Sequence, residues 1–388
     1  MILIKPLTFA MTVALVLSAC SPSSPDNAPD PQAAATNPEV MPAQPGSAEG
    51  QAAMTPPGTA APMGDGPVLG PNPVTAVGMG PDGLALQSLE ELPQAVPERP
   101  ANDPKLHGGS DSVLRAQVLL LRANFSSGEI DGKEGMNVRK AISAFQESRG
   151  IPASGKLDDA TWSALDKDTA PILVNYTLTA ADIAGPYAPT PTKVEEKAKM
   201  TKIVYQNLTE MLGEKFNAKP ELIKSLNPGA DLSTAGTVVM VPFVRPAQTV
   251  AKAAKVVVDK SDAALRLLDA QGKVYAQYPA STGSTQFPLP IGEWKFVSVV
   301  QNPDYRYDPS ILVNQPKDAK PARLAPGPNG PVGIVWMGLN KEHYGIHGTP
   351  EPGQISRTQS SGCVRLTNFA AQAVASAVST GMPVTFQE

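Results

Sequence analysis

The stretch HGTPEPGQISRTQSSGCVRLTN, His347 to Asn368, gathers one of the three histidines and one of the two cysteines of a 388-residue chain, and His343 lies just upstream. Three chemistries suit such a set. A metal site needs three or four ligands. His343 and His347 have the i, i+4 spacing of a helical zinc pair, but HYGIHG carries Gly345 and Gly348 and follows a strand-like run. Cys363 would be the one thiolate ligand outside the N-terminal segment, so no metal is expected. A second reading makes His347 a satisfied core histidine and Cys363 a small hydrophobe. Gly348 and Gly362 weigh against it, because glycine lets the backbone approach a ligand or adopt unusual angles. The third reading, a nucleophile pair, fits best. A free thiol is only a few per cent ionised at pH 7; a neighbouring imidazolium stabilises the thiolate, and imidazole later returns a proton to a leaving amine. Cys363 is then the nucleophile and His347 the general acid/base. The Gly362 and Cys363 amides could form an oxyanion hole. Arg365 could pair with a substrate carboxylate, or be an ordinary structural arginine; Tyr344 and Ser361 join it as substrate-binding candidates. His343 is expected to be a neighbour near the cleft.

The elements that position these residues read as β-rich from about 254 to 387. KVVVD and ALRLLD are strand-like, with a turn at Ser261-Asp262, and GKVYAQYPAS and GEWKFVSVV alternate. VGIVWMGL is a further apolar run. After the cysteine, TNFAAQAVASAVSTG predicts a helix capped by Thr367 or Asn368, which would put the thiol ahead of a helix N-terminus. PVTF closes as a strand. Strands without alternating helices argue for a mainly antiparallel assembly.

Two smaller modules are expected upstream. Residues 108–168 read as a three-helix domain, with Leu114, Val118, Leu121 and Phe125 on one helical stripe and Val138, Ala141, Ile142 and Phe145 on a second. A third short helix carries Trp162 and Leu165. Residues 170–200 look irregular. Residues 200–243 then offer two short helices and a strand at Val238–Val241, with a first strand near Lys202–Tyr205.

Residues 20–105 are rich in Pro, Ala, Gly and Ser and cannot bury enough apolar surface to offset ordering entropy. They read as a disordered tether with a reach of roughly 50 Å. Residues 1–19 have the n-region and short apolar run of a secretory signal. That run ends in Leu17-Ser18-Ala19-Cys20, which resembles the bacterial lipobox and makes Cys20 a lipidation site. A thioether on Cys20 leaves Cys363 without a disulfide partner in an oxidising compartment. The protein is thus expected to be exported, periplasmic and anchored to a membrane, with Ser21 favouring the outer one. A net charge of −4 and no basic patch argue against nucleic acid.

Family resemblances sharpen these expectations. LRAQVLLLRANFSSGEIDGKEGMNVRKAISAFQESRGIPASGKLDDATWSAL resembles the type-1 peptidoglycan-binding domain through Gln117, Ile130-Asp131-Gly132, Gly135, Phe145-Gln146, Gly150-Ile151 and Thr161-Trp162. Residues 208–242 resemble a LysM-like βααβ module. YGIHGTPEP with SSGCVRL, His347 and Cys363 sixteen residues apart, resembles the signature of the L,D-transpeptidase catalytic domain. Ser281-Thr282-Gly283, Pro290-Ile291-Gly292 and Pro326-Gly327-Pro328-Asn329 support the likeness. The resemblance implies a β-sandwich of that type with a helix after the cysteine, Cys363 as nucleophile, His347 as acid/base and the Gly348 carbonyl orienting it. Ser356 departs from it, since many members have glycine there, and Ser361 stands where some have histidine. The implied reaction acylates the cysteine with the diamino-acid carbonyl of a peptidoglycan tetrapeptide stem, releases D-Ala, and joins an amine from a second stem (a 3→3 cross-link) or from a wall-attached protein. Carbapenems are the implied inhibitors, and no cofactor is implied. An L,D-carboxypeptidase or amidase on the same fold, and a non-catalytic wall-binding lipoprotein, stand as alternatives.

Overall fold

A computed structural model describes residues 99–244, 250–312 and 318–388. The expected signal segment, Cys20 and the expected tether up to residue 98 lie outside the described residues. The last part of the expected tether is already docked. Pro100–Asn102 form a 3-10 turn with Ala101 buried. Asn102 Oδ1 accepts the Ile172 and Leu173 amides at 2.7 and 2.8 Å. Order therefore begins before residue 105, because one asparagine satisfies the backbone at the start of a strand.

Three helices follow: α1 (Ser110–Arg122), α2 (Met136–Ser148) and α3 (Asp159–Leu165). Leu114, Val118, Ile142, Phe145 and Trp162 pack in their shared core. The polar residues that mark this stretch fasten its loops. Gln117 Oε1 accepts the Gly132 amide at 2.7 Å. Gln146 Oε1 accepts the Gly155 amide at 2.9 Å, and its Nε2 donates to Thr161 Oγ1 at 2.7 Å. These glutamines are committed to structure.

The middle module contains β1 (Leu173–Thr177), α4 (Ala180–Ala184), α5 (Val194–Lys197), α6 (Leu208–Lys215), α7 (Pro220–Leu226) and β2 (Val238–Pro242). β1 and β2 pair antiparallel, from Leu173↔Pro242 to Thr177↔Val238. This corrects the expected first strand: it lies at 173–177, and residues 202–205 form none. The apolar side chains at 203–205 misled because they are buried without forming a strand: Ile203 packs with Tyr307 and Leu324, and Tyr205 joins the core shared with the helices. Ile203 N–H donates to the Pro326 carbonyl at 3.0 Å, and Asn329 Nδ2 donates to the Val204 carbonyl at 3.1 Å. The module thus starts near residue 172, not 200, with 178–207 inserted ahead of α6.

The C-terminal domain contains β3 (Lys255–Asp259), β4 (Ala264–Leu268), β5 (Val274–Pro279), β6 (Gly292–Gln301), β7 (Tyr305–Tyr307), β8 (Ala322–Leu324), β9 (Val335–Leu339), β10 (Gly345–His347), β11 (Val364–Arg365), α8 (Asn368–Ala377) and β12 (Pro383–Gln387). Eight strands form one sheet in the order β11-β10-β9-β6-β12-β3-β4-β5, while β7 and β8 pair separately. β10/β11 and β12/β3 are parallel and the other neighbours antiparallel. The expected sandwich is therefore one mixed sheet, and its two ends meet. Ser281, just beyond β5, exchanges hydrogen bonds with Arg365 in β11 at 3.0 and 2.8 Å. α8 carries the chain from β11 back to β12 and buries Ala370, Ala371 and Val374 in the core.

The modules are joined through backbone. Ser126 N–H donates to the Gln277 carbonyl at 2.9 Å, and Gln277 N–H donates to the Asn124 carbonyl at 2.8 Å. This pairing covers the edge of β5, which would otherwise offer unpaired strand groups. Ile130 and Lys219 N–H groups likewise tie α1–α2 loop backbone to the middle module, at 2.8 and 2.9 Å.

Candidate active site

His347 is the last residue of β10 and sits directly across from Trp336 on β9. That register stacks the two rings, 5.5 Å between centroids and 21° from parallel. The imidazole is 6% exposed. Its Nδ1 lies 2.7 Å from the Gly348 carbonyl oxygen. A carbonyl only accepts, so Nδ1 carries the proton and Nε2 holds a free lone pair. Burial pushes the imidazole down to about 4; the Gly348 carbonyl opposes this and the Arg365 charge adds to it. His347 is therefore neutral at pH 7.

Cys363 sits at the end of a tight turn. Gly362 N–H donates to Ser360 Oγ at 3.2 Å, and that hydroxyl donates to the Cys363 carbonyl. Gly362 has φ +108°, and a Cβ there would lie 2.9 Å from Tyr344 Cε1. Glycine is thus required twice over, by its backbone angle and by the tyrosine ring. The half-buried thiol donates to the His343 carbonyl at 3.5 Å. Burial pushes the thiol up to about 11, opposed by a backbone hydrogen bond from Gly345. Burial thus favours the neutral form of both Cys363 and His347, the reverse of the expected thiolate–imidazolium pair.

Other expectations change. The cysteine does not sit at a helix N-terminus: β11 intervenes, and α8 is capped by Thr367, whose side chain accepts from the Ala370 amide. Of the two amides expected in an oxyanion hole, that of Gly362 is occupied by Ser360. The amides of Cys363 and half-buried Ser361 meet no acceptor among the described residues. His343 contributes its carbonyl, while its side chain is 62% exposed beside Glu342.

Arg365 lies beside His347 in the parallel β10–β11 pair. Its Nη2 donates to Thr358 Oγ1 at 2.9 Å and the Gln359 carbonyl at 2.7 Å, bracing the end of the 349–359 loop. Its Nε is buried and unpartnered among the described residues. Tyr344 packs on Gly362 and lies under the Lys341 ammonium, 5.2 Å from ring centroid to nitrogen. Ser356 adopts φ +63°, an angle that favours glycine. Its hydroxyl offsets this by donating toward the Ala263 and Ala280 carbonyls at 3.3 and 3.2 Å. Three residues near the pair escaped the sequence reading. Trp336 stacks on His347, Tyr305 lies close enough to feel the Cys363 charge, and buried Asn368 packs behind Gly348.

Comparison with known proteins finds relatives for two parts of the chain. Residues 253–386 match the YkuD family model, described as "L,D-transpeptidase catalytic domain". Residues 109–165 match "Putative peptidoglycan binding domain". A Bacillus licheniformis protein named "Putative L,D-transpeptidase YkuD" is 28% identical over 177 residues, covering 45% of this chain and 90% of that one. A Fuscovulum blasticum protein, "Putative L,D-transpeptidase in ATP synthase subunits region ORF 5", is 32% identical over 112 residues, 29% of this chain and 58% of that one. Among solved structures, L,D-transpeptidase 3 of Mycobacterium tuberculosis with a faropenem-derived adduct aligns at 21% identity and TM-score 0.30, covering 40% and 75% of the two chains. The two curated relatives are named as transpeptidases, and neither name carries the hydrolase alternative. Residues 253–386 match the L,D-transpeptidase catalytic domain, and the chain that carries this match is an enzyme of this kind.

Proposed function

We propose that the enzyme cross-links peptidoglycan through an acyl-Cys363 intermediate. His347 Nε2 takes the thiol proton as sulfur attacks the carbonyl between the diamino acid and the terminal D-Ala of a tetrapeptide stem. The tetrahedral oxyanion is met by the Cys363 amide, and His347 returns the proton to the departing D-Ala amine. An amine from a second stem then attacks the thioester, His347 takes up its proton, and the thiol reforms. The products are D-Ala and a 3→3 cross-link. Arg365, Ser361 and Tyr344 are the side chains offered to the stem peptide, and a wall-attached protein is a second class of acceptor. The observation that carries this reading is the His347 tautomer: Nδ1–H is committed to Gly348, which leaves Nε2 free to act as base. Incubating the enzyme with purified sacculi and analysing the digest by mass spectrometry tests it. New 3→3 dimers with loss of D-Ala are expected, dependent on Cys363. Tripeptides without dimers would assign the chemistry to hydrolysis.

We further propose that Cys20 is lipidated and that the protein works in the periplasm from a membrane anchor, with the outer membrane favoured. The lipobox-like Leu17-Ser18-Ala19-Cys20 and the Pro- and Ala-rich stretch after it support this. Cys20→Ala is expected to move the protein from the membrane fraction to the soluble periplasm; unchanged fractionation would refute the anchor. The peptidoglycan-binding-like and LysM-like modules would hold the wall beside the catalytic domain.

A further inference from the structure

The Gly348 carbonyl fixes the His347 tautomer, so whatever fixes the Gly348 peptide sets the base. Its amide donates to the Val335 carbonyl at 3.2 Å. Its Cα is packed against Asn368: a Cβ on Gly348 would lie 2.2 Å from Asn368 Oδ1. Asn368 is 1% exposed and held by four contacts. Its Oδ1 accepts the Ile334 amide at 3.3 Å, and its Nδ2 donates to the Pro328 carbonyl at 3.1 Å. The same Nδ2 donates to both oxygens of Glu214, each at 2.9 Å. Glu214 does not belong to the catalytic domain. It lies on α6 of the middle module, 154 residues earlier in the chain. Tyr205 OH approaches its other side at 3.3 Å.

We propose that Glu214 and Asn368 are positioning residues for His347, so that α6 is a working part of the catalytic centre as well as part of a LysM-like module. Glu214 orients the Asn368 amide, Asn368 Oδ1 seats the Gly348 Cα, and the Gly348 carbonyl holds Nδ1–H. The physical case is the cost of misplacement. A buried carboxyl group that takes two hydrogen bonds from one amide fixes that amide's orientation, since a buried polar group left unpaired is costly, and Gly348 has no side chain through which another group could hold it. A shift of about 1 Å in a reacting group can cost on the order of 100-fold in rate. Loss of Glu214 therefore acts on the chemical step and leaves substrate contacts in place.

This inference rests on the acyl-Cys363 reading. The test uses the full chain and imipenem as acylating probe, with adduct mass followed over time at several concentrations. If wild type forms no adduct, the acyl-Cys363 reading fails and positioning has nothing to act on. With wild type reactive, Glu214→Ala is expected to lower the limiting acylation rate roughly 10- to 100-fold with little change in the half-saturating concentration. Glu214→Gln, which keeps one acceptor oxygen, should retain most of the rate. Assayed at pH 9, where Glu214 is ionised, Asn368→Asp turns an acceptor toward an acceptor and should also lower the rate, and Glu214→Gln/Asn368→Asp, which restores a donor–acceptor pair with reversed polarity, should recover part of it. That recovery is a readout that a general loss of stability does not produce, and it decides the matter even where Glu214→Ala fails to fold. Folded Glu214→Ala acylating at the wild-type rate, or a double variant no faster than Asn368→Asp, overturns the proposal.

Discussion

The resting protonation state of the pair distinguishes this site from one built on a preformed ion pair. Burial raises the Cys363 thiol from 9.0 to about 11 and lowers the His347 imidazole from 6.5 to about 4. At pH 7 an ordinary thiol with pKa 9 is about 1% thiolate; at pKa 11 the fraction is about 1 in 10⁴, a hundredfold deficit worth ~2.7 kcal/mol. Ultraviolet thiolate absorbance, taken as wild type minus Cys363→Ala across pH 4 to 11, reads this fraction and cancels any signal from Cys20. No appreciable thiolate is expected below about pH 9, with half-ionisation near 11. The perturbation is His347→Ala. It should leave the signal at pH 7 at zero, because there is no imidazolium to remove, yet it should abolish acylation. Acylation by wild type should be flat from about pH 5 to 9, since His347 is already neutral there and the thiol is already protonated. Close to one equivalent of thiolate at pH 6, lost on His347→Ala, would refute the neutral pair and restore the ion pair.

Two further outcomes follow from buried groups. Burial pushes the Glu129 carboxyl up from 4.5 to about 7 and the Glu214 carboxyl up to about 8, and in both the acidic neighbours add to the rise. The folded state therefore holds protons that the unfolded chain has released, and stability falls as pH climbs from about 4.5 through 7 to 8. For Glu129 this is on the order of 3 kcal/mol, so Glu129→Gln should melt higher than wild type at pH 8, with the gain vanishing near pH 4.5; an equal gain at both pH values would contradict the assignment. Gly362→Ala meets both a φ of +108° and the Tyr344 ring. It should cost at least about 1 kcal/mol of stability and slow Cys363 acylation, both read on the purified variant; unchanged melting and acylation would show that the turn does not hold the nucleophile.

How far the sequence could be read depended on separation along the chain. His347 and Cys363 lie sixteen residues apart, with glycines beside each, so the placing of their segments in one site was legible: β10 and β11 pair, with Ile346 opposite Val364. The strand VGIVWMGL was also legible, and an antiparallel hairpin with β10 puts Trp336 opposite His347; the stacking could have been read from register once the turn at 340–344 was placed. The helix after Cys363 was expected, but two strand residues and a Thr cap separate it from the thiol, a boundary that periodicity does not resolve. The first strand of the middle module was placed some thirty residues late because Ile203, Val204 and Tyr205 are as apolar as a strand requires, and only the fold shows what they pack against. Closure of the sheet through Ser281 and Arg365, and the Glu214–Asn368 contact, join residues far apart in sequence and leave no local signal.

The nucleophile itself is tested most directly by intact mass after carbapenem exposure, comparing wild type with Cys363→Ala. Wild type should gain the mass of one carbapenem, located by digestion on the peptide that carries Cys363, and Cys363→Ala should gain none. An unmodified wild type, or an adduct that survives Cys363→Ala, would contradict the assignment of Cys363 as the acylated residue.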